Sequence, residues 1–173
     1  MTFRWILIAF TVLALTGCAS STGYDSGAFT GILQSAPVDL SGEQVTLTQT
    51  QVDCGVKNEL WEPPNGNLAR LTQKGRDLKF SDDIRVTDPE ITHPYSQLTG
   101  PFPVQVSDVS KIRDTDNGMK LADVKLGAVM VHECFTAPLP VMGIRKGKFA
   151  TDVPVVFRFK GSGAEWSLDK LVH

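Results

Sequence analysis

No stretch of this 173-residue chain stays apolar for the roughly 20 residues that a helix needs to cross a bilayer, and the longest such run ends at Leu15. Nor is there an excess of positive charge: 17 Lys and Arg stand against 19 Asp and Glu, for a net charge of −2. Nucleic acid and a polybasic attachment to anionic lipid are therefore not expected. Histidine and cysteine are scarce, three of each, and His93, His132 and His173 show no metal-ligand spacing. No serine lies in a Gly-x-Ser-x-Gly elbow, and neither a phosphate-cradling glycine loop nor His-Glu-x-x-His occurs. No enzyme, metal or cofactor is expected from these motifs, and no internal repeat appears.

What is present begins at the first residues. Arg4 precedes an apolar or neutral run from Trp5 to Leu15, followed by Thr16, Gly17 and Cys18. This is the form of a cleaved export signal. Leu15-Thr16-Gly17-Cys18 resembles the lipobox of bacterial lipoproteins, and the alternative is an ordinary secretory signal with a chance cysteine. The resemblance implies cleavage after Gly17, then a thioether diacylglyceryl group and an amide-linked acyl chain such as palmitate on Cys18. Several chains, at about 0.8 kcal/mol per buried methylene, anchor far more firmly than one. Ala19 follows the cysteine where an inner-membrane lipoprotein of enterobacteria would carry aspartate, which implies the outer membrane, on its periplasmic face.

The expected plan is a signal peptide over 1–17, a lipidated N-terminus and tether over 18–40, and a single periplasmic domain over 41–173. Residues 19–27 are small and polar, as a flexible tether is. The state of 28–46, with Phe29, Ile32 and Leu33, is left open by the pattern. With Cys18 acylated, Cys54 and Cys134 form an even pair in an oxidising compartment, so a disulfide between them is expected.

Thr48-Gln49-Thr50-Gln51 has the form of a capping box. It predicts a helix over 49–61 with Val52, Val56 and Leu60 on one stripe, ended by Pro63 and Pro64. A second helix is expected from an Asn67 cap through Leu68 and Leu71 to Gly75. Strands follow near 84–87, 102–106, 109–114, 119–132, 152–160 and 164–171, with turns at Asp116-Asn117-Gly118 and Gly161-Ser162-Gly163. The fold class is thus α+β, with one or two short N-terminal helices before an antiparallel meander sheet. This element order resembles the cystatin-like and NTF2-like rolls; a β-sandwich is the alternative.

Several clusters carry reactive groups, and each has a simpler structural reading. His132-Glu133-Cys134 places a histidine near a thiol, but an oxidised Cys134 is neither nucleophile nor ligand. Asp114-Thr115-Asp116-Asn117-Gly118 resembles a calcium loop, yet its glycine is fifth rather than sixth and Lys125 stands where the bidentate glutamate belongs. Asp82 and Asp83 are adjacent, and on a strand would point to opposite faces. Arg145, Lys146 and Lys148 form a basic loop beside the proline-rich run that holds Met142, and these four are the candidate partner-binding residues. The leading expectation is a non-catalytic, lipid-anchored envelope lipoprotein that binds a protein partner or envelope component. Its alternatives are a carrier or sensor of a small apolar ligand, a periplasmic immunity or inhibitor protein, and a cell-wall hydrolase.

Overall fold

The computed structural model describes residues 25–145, 148–150, 154–162 and 165–172, with 144–145 and 148–150 described through their backbone. In chain order the elements are α1 (Ser26–Ser35), β1 (Val38–Asp39), β2 (Gln44–Thr46), α2 (Gln49–Lys57), β3 (Leu68–Ala69), α3 (Gln73–Asp77), β4 (Ile84–Arg85) and β5 (Tyr95–Gln97). They continue with β6 (Pro101–Phe102), β7 (Val104–Asp114), β8 (Lys120–Ala128), β9 (Leu139–Arg145), β10 (Lys148–Ala150), β11 (Val155–Ser162) and β12 (Glu165–Val172). The class is α+β, as the element order predicted, and every strand pairing is antiparallel.

The sheet divides at β8. One edge of β8 pairs with β7 along its length, from Val104↔Ala128 to Asp114↔Lys120. The other edge is shared: β11 takes its first half, from Phe159↔Lys120 to Val155↔Val124, and β9 takes its end at Gly127↔Pro140 and Ala128↔Leu139. The β7-β8-β11-β12 arm therefore forms a meander that carries α1. The other arm leads from β9 through β2, β5 and β4 to β3.

Burial explains the arms. Along β11, Val155, Phe157 and Phe159 are buried while Val156 and Arg158 are half-buried and Lys160 is exposed, the alternation of a sheet with one wet face. Phe29 of α1 covers that inner face, its ring 4.4 Å from Phe159 and 5.9 Å from Trp166. Leu33, one turn on, is fully buried with it. The folded part thus starts at α1 rather than at 41: Phe29, Leu33, Val38 and Leu40, placed before the 41–173 domain with the state of 28–46 left open by the sequence, are core residues.

The second helix has its expected start and an earlier end. Thr48 N–H donates to Gln51 Oε1 at 2.8 Å and Gln51 N–H to Thr48 Oγ1 at 3.2 Å, the reciprocal box. It stops at Lys57, before the prolines, because Glu59 turns left-handed at φ 59°. Glu59 N–H then donates to Val56 O and Leu60 N–H to Gly55 O, the two bonds of a Schellman motif. The helix expected from Asn67 is displaced. Leu68 and Ala69 pair with Arg85 and Ile84 as β3, and the helix begins after Thr72, whose hydroxyl accepts from Gly75 N–H. Gly75 sits inside this helix, where an added Cβ would lie 2.2 Å from Leu60 O.

Two expected strands, 102–106 and 109–114, are mainly one, β7, interrupted by register shifts at Val106/Asp108 and Ser110/Arg113. Strands β2, β5 and β9 were not expected, and the proline-rich run and basic loop that hold Met142, Arg145 and Lys148 contain the whole of β9 and the first residue of β10. The Asp116-Asn117-Gly118 turn is present, closed by Gly118 N–H to Thr115 O at 3.0 Å with Gly118 at φ 74°. Of the Gly161-Ser162-Gly163 turn, the first two residues end β11 and Gly163 lies outside the described residues.

Candidate functional site

The end of the β7–β8 hairpin opposite its turn carries an apolar opening. Beyond Ala128 the chain runs on extended, with Val129 N–H donating to Pro103 O at 2.9 Å. Phe102 and Pro103 lead into β7 on the adjoining strand, and Leu78 and Lys79 approach from the end of α3. Lys79 holds this corner by donating from Nζ to Pro101 O at 2.7 Å while its ammonium lies 5.2 Å from the Phe102 ring centroid. Together with Met130 and Val131 they line a shallow groove of about 200 Å³.

Val131 defines its rim. The residue is 94 % exposed, and it is the one large apolar side chain left to solvent among the described residues. Its neighbours Met130, Cys134 and Phe135 are buried. A Val at that exposure gains nothing from folding, whereas covering it and the groove beside it would remove apolar surface from water.

The turn that follows is fixed by covalent and aromatic contacts. The expected disulfide joins Cys54 of α2 to Cys134. The Asn58 side-chain amide lies 3.5 Å from Cys54 Sγ and 3.4 Å from Cys134 Sγ. Phe135 packs with Phe80 and Trp61 at centroid distances of 5.8 and 6.5 Å, and Trp61 Nε1 donates to Val52 O at 2.9 Å. His132 accepts from Cys134 N–H through Nδ1 at 3.1 Å and lays its ring against Phe135. Both reactive groups of the His132-Glu133-Cys134 cluster are thus structural. No family model, curated protein or solved structure matches this chain.

The other candidates fall elsewhere. Met142 is buried against Ile91 and Tyr95, at 1 % exposure, so its side chain is withdrawn from any partner. Its place on β9, opposite Gln44 of β2, turns it inward. Arg145 and Lys148 face each other across the β9–β10 hairpin, and Lys146 lies outside the described residues, as does Cys18. Asp83 accepts from Leu71 N–H at 2.9 Å, and Asp82 accepts from Asp83 N–H, so each of this pair caps backbone. Asp114 instead pairs with Lys120.

Asp88 and Tyr95 form the most perturbed pair. Glu90 N–H and the Tyr95 hydroxyl donate to the Asp88 carboxylate and hold it below the usual carboxylate range. Burial, and then the bond to Asp88, pushes the Tyr95 hydroxyl up to about 12. A neutral tyrosine fixed to a carboxylate at 2.8 Å is a structural bond at neutral pH. The main core, separate from the cluster of Tyr95, Ile91 and Met142, holds Trp61, Phe80, Phe157 and Phe159 fully buried. The opening between β9 and β11, lined by Glu43, Gly143, Val155 and Leu171, holds about 180 Å³. That is below the roughly 300 Å³ at which small-molecule pockets begin.

Among the described residues no helix is long and apolar enough to cross a membrane, and no group of three or more His, Cys, Asp or Glu is placed to hold a metal ion. The groove around Val131 carries two charged residues, Asp77, which accepts from the Gln73 side-chain amide, and Lys79, which donates to Pro101 O. Its arrangement suits contact with an apolar protein surface.

Proposed function

We propose that the chain is a non-catalytic lipoprotein of the bacterial envelope, anchored through Cys18, whose domain docks a periplasmic protein through the Val131 groove. The observation that carries this reading is Val131 itself, a fully presented valine at the mouth of an apolar groove in a domain that otherwise covers its large apolar side chains. The Leu15-Thr16-Gly17-Cys18 lipobox supports the anchor, and the Cys54–Cys134 bond suits an oxidising compartment. The structural engagement of His132 and Cys134 supports a binding rather than a catalytic role.

In-cell photo-crosslinking tests the surface. A photoreactive residue at position 131 or 77 is expected to trap one recurrent partner, and Val131→Asp is expected to abolish that product. A partner trapped at 145 or 148 and absent at 131 would move the interface to the β9–β10 hairpin. Products that persist unchanged in Val131→Asp would remove the groove from the interaction.

A further inference from the structure

The short chain between the anchor and the first helix sets an orientation. Seven peptide steps separate Cys18 from Asp25, and they span at most about 25 Å in any conformation. A domain of this length is roughly 35–40 Å across. The lipid surface therefore lies nearer to the start of α1 than the domain is wide. Which part of the domain faces it depends on where α1 begins.

That position is fixed by Phe29. From Asp25, whose side chain caps α1 by accepting from Gly27 N–H at 2.9 Å, to Phe29 the helix rises about 6 Å. Phe29 stacks on Phe159 and Trp166. Trp166 pairs with Gly161 near the end of the β11–β12 ladder, whose last pair is Ser162↔Glu165. Phe159 pairs with Lys120, the first residue of β8 after the 115–119 turn. Helix α1 thus starts beside the two hairpin ends, that of β7–β8 and that of β11–β12. Their exposed residues among those described, Asp116, Asn117, Gly118, Gly161, Ser162 and Glu165, are glycine, polar or acidic. No large apolar residue is offered for insertion at these positions.

We propose that the β7–β8 turn and the described ends of β11 and β12 beside it, at Ser162 and Glu165, rest against the lipid headgroup layer, and that the Val131 groove points away from the membrane. This rests on the lipid-anchor reading above. The separation follows from strand length: β8 and the extension to Val131 rise about 3.3 Å per residue, so the groove lies roughly 30–40 Å from the Asp116 turn. The occupant of the hairpin-end surface is the polar headgroup layer, because these residues can exchange hydrogen bonds with it and have no apolar wedge to sink into acyl chains. A partner engaged at Val131 then approaches from the aqueous side without crossing the membrane surface.

The test uses the full-length protein, purified with its lipid and reconstituted into phosphatidylethanolamine–phosphatidylglycerol vesicles whose headgroups carry an energy-transfer acceptor. A donor dye is placed at Asp116→Cys or Ser162→Cys on the near side and at Val131→Cys or Asp77→Cys on the far side, all exposed positions. Transfer from 116 and 162 is expected to be at least twofold more efficient than from 131 and 77. Equal transfer at all four, or the reverse order, overturns the orientation while leaving the anchor intact. Mass spectrometry of the same preparations separates the two ideas. An unacylated Cys18, with vesicle binding unchanged in Cys18→Ser, sinks the anchor reading and the orientation with it.

Discussion

Gly55 and Gly31 both lie within helices, yet adding a methyl group to each should move stability in opposite directions. Alanine exceeds glycine in a helix interior by about 1 kcal/mol, because the unfolded chain loses less freedom. At Gly31 of α1 an added Cβ meets nothing within 4 Å, so Gly31→Ala should stabilise by about 0.5–1 kcal/mol. At Gly55 of α2 the same atom would sit 1.9 Å from Trp61 Cζ2 and 2.2 Å from Cε2. The indole has to move. It donates to Val52 O and meets Phe80 edge-on at 5.8 Å, so its displacement strains a packed cluster and endangers a buried hydrogen bond. Overpacking costs about 1–3 kcal/mol and a buried indole N–H left without its acceptor about 1–3 more, against the 1 kcal/mol gained. The expected net loss is about 1–5 kcal/mol, a fall in Tm of roughly 2–20 °C for a domain of this size. Thermal unfolding of both variants by far-UV circular dichroism, with near-UV signals reporting Trp61, makes the comparison. If Gly55→Ala is as stable as wild type or more so, the close approach of Trp61 to α2 is wrong.

Other expectations follow from single contacts. The disulfide closes a loop at a sequence separation of 80, for which chain entropy gives roughly 4.5 kcal/mol; urea unfolding with and without reductant should show a loss of that order, and a loss below about 1 kcal/mol would contradict it. Tyr95 has its folded value raised to about 12 from 10.0, so its contribution is whole below pH 10 and declines as pH rises from 10 towards 12. Stability should fall across that window, and Tyr95→Phe should flatten the fall. The Asp88 carboxyl is lowered, so its contribution is present above the ordinary carboxylate range and is lost as pH drops below it; Asp88→Asn should weaken the acid side of the stability curve. Met142→Ala should cost about 2–5 kcal/mol as a buried truncation, while Val131→Asp should change stability by no more than about 0.5 kcal/mol. Chemical denaturation of both variants separates the buried residue from the presented one.

The parts of the fold legible in the sequence are those whose signal is local. Thr48 and Gln51 cap one another across a single turn, and Val155, Phe157 and Phe159 alternate because one face of β11 is wet. The α2 terminus was misread because the stop comes from Glu59 in a left-handed conformation, a geometry usually marked by glycine or asparagine. The Asn67 helix failed for a tertiary reason. Leu68 and Ala69 are drawn into pairing with β4, and Gly75, which resembles a helix stop, is needed for its lack of a side chain against Leu60. Helix α1 was hidden because its two anchoring residues, Phe29 and Leu33, stand in a short segment rich in small residues, and the sheet face of β7, β11 and β12, distant in sequence, gives them something to cover.

The candidate site was illegible for a related reason. Basic and apolar residues adjacent in sequence, Met142 with Arg145 and Lys148, suggested one contact surface, yet β9 is buried on both faces here: Leu139 and Val141 enter the main core, and Met142, on the opposite face, packs with Ile91 and Tyr95. Pro138 and Pro140 pointed to a loop. Pro140 is nonetheless accepted at the fork of the sheet, where it pairs with Gly127, whose added Cβ would lie 2.6 Å from Pro138 Cβ. The Val131 groove draws on α3, the entry to β7 and the exit from β8, three segments brought together by the β7–β8 hairpin and by Lys79 reaching Pro101. No window of sequence contains it. Val131 itself looked like the tail of a strand expected to run to 132, where an apolar residue would be buried. It is exposed because β8 ends at Ala128 and the disulfide draws Cys134 towards α2 and Phe135 packs into the core, turning the chain so that Val131 takes the outer position.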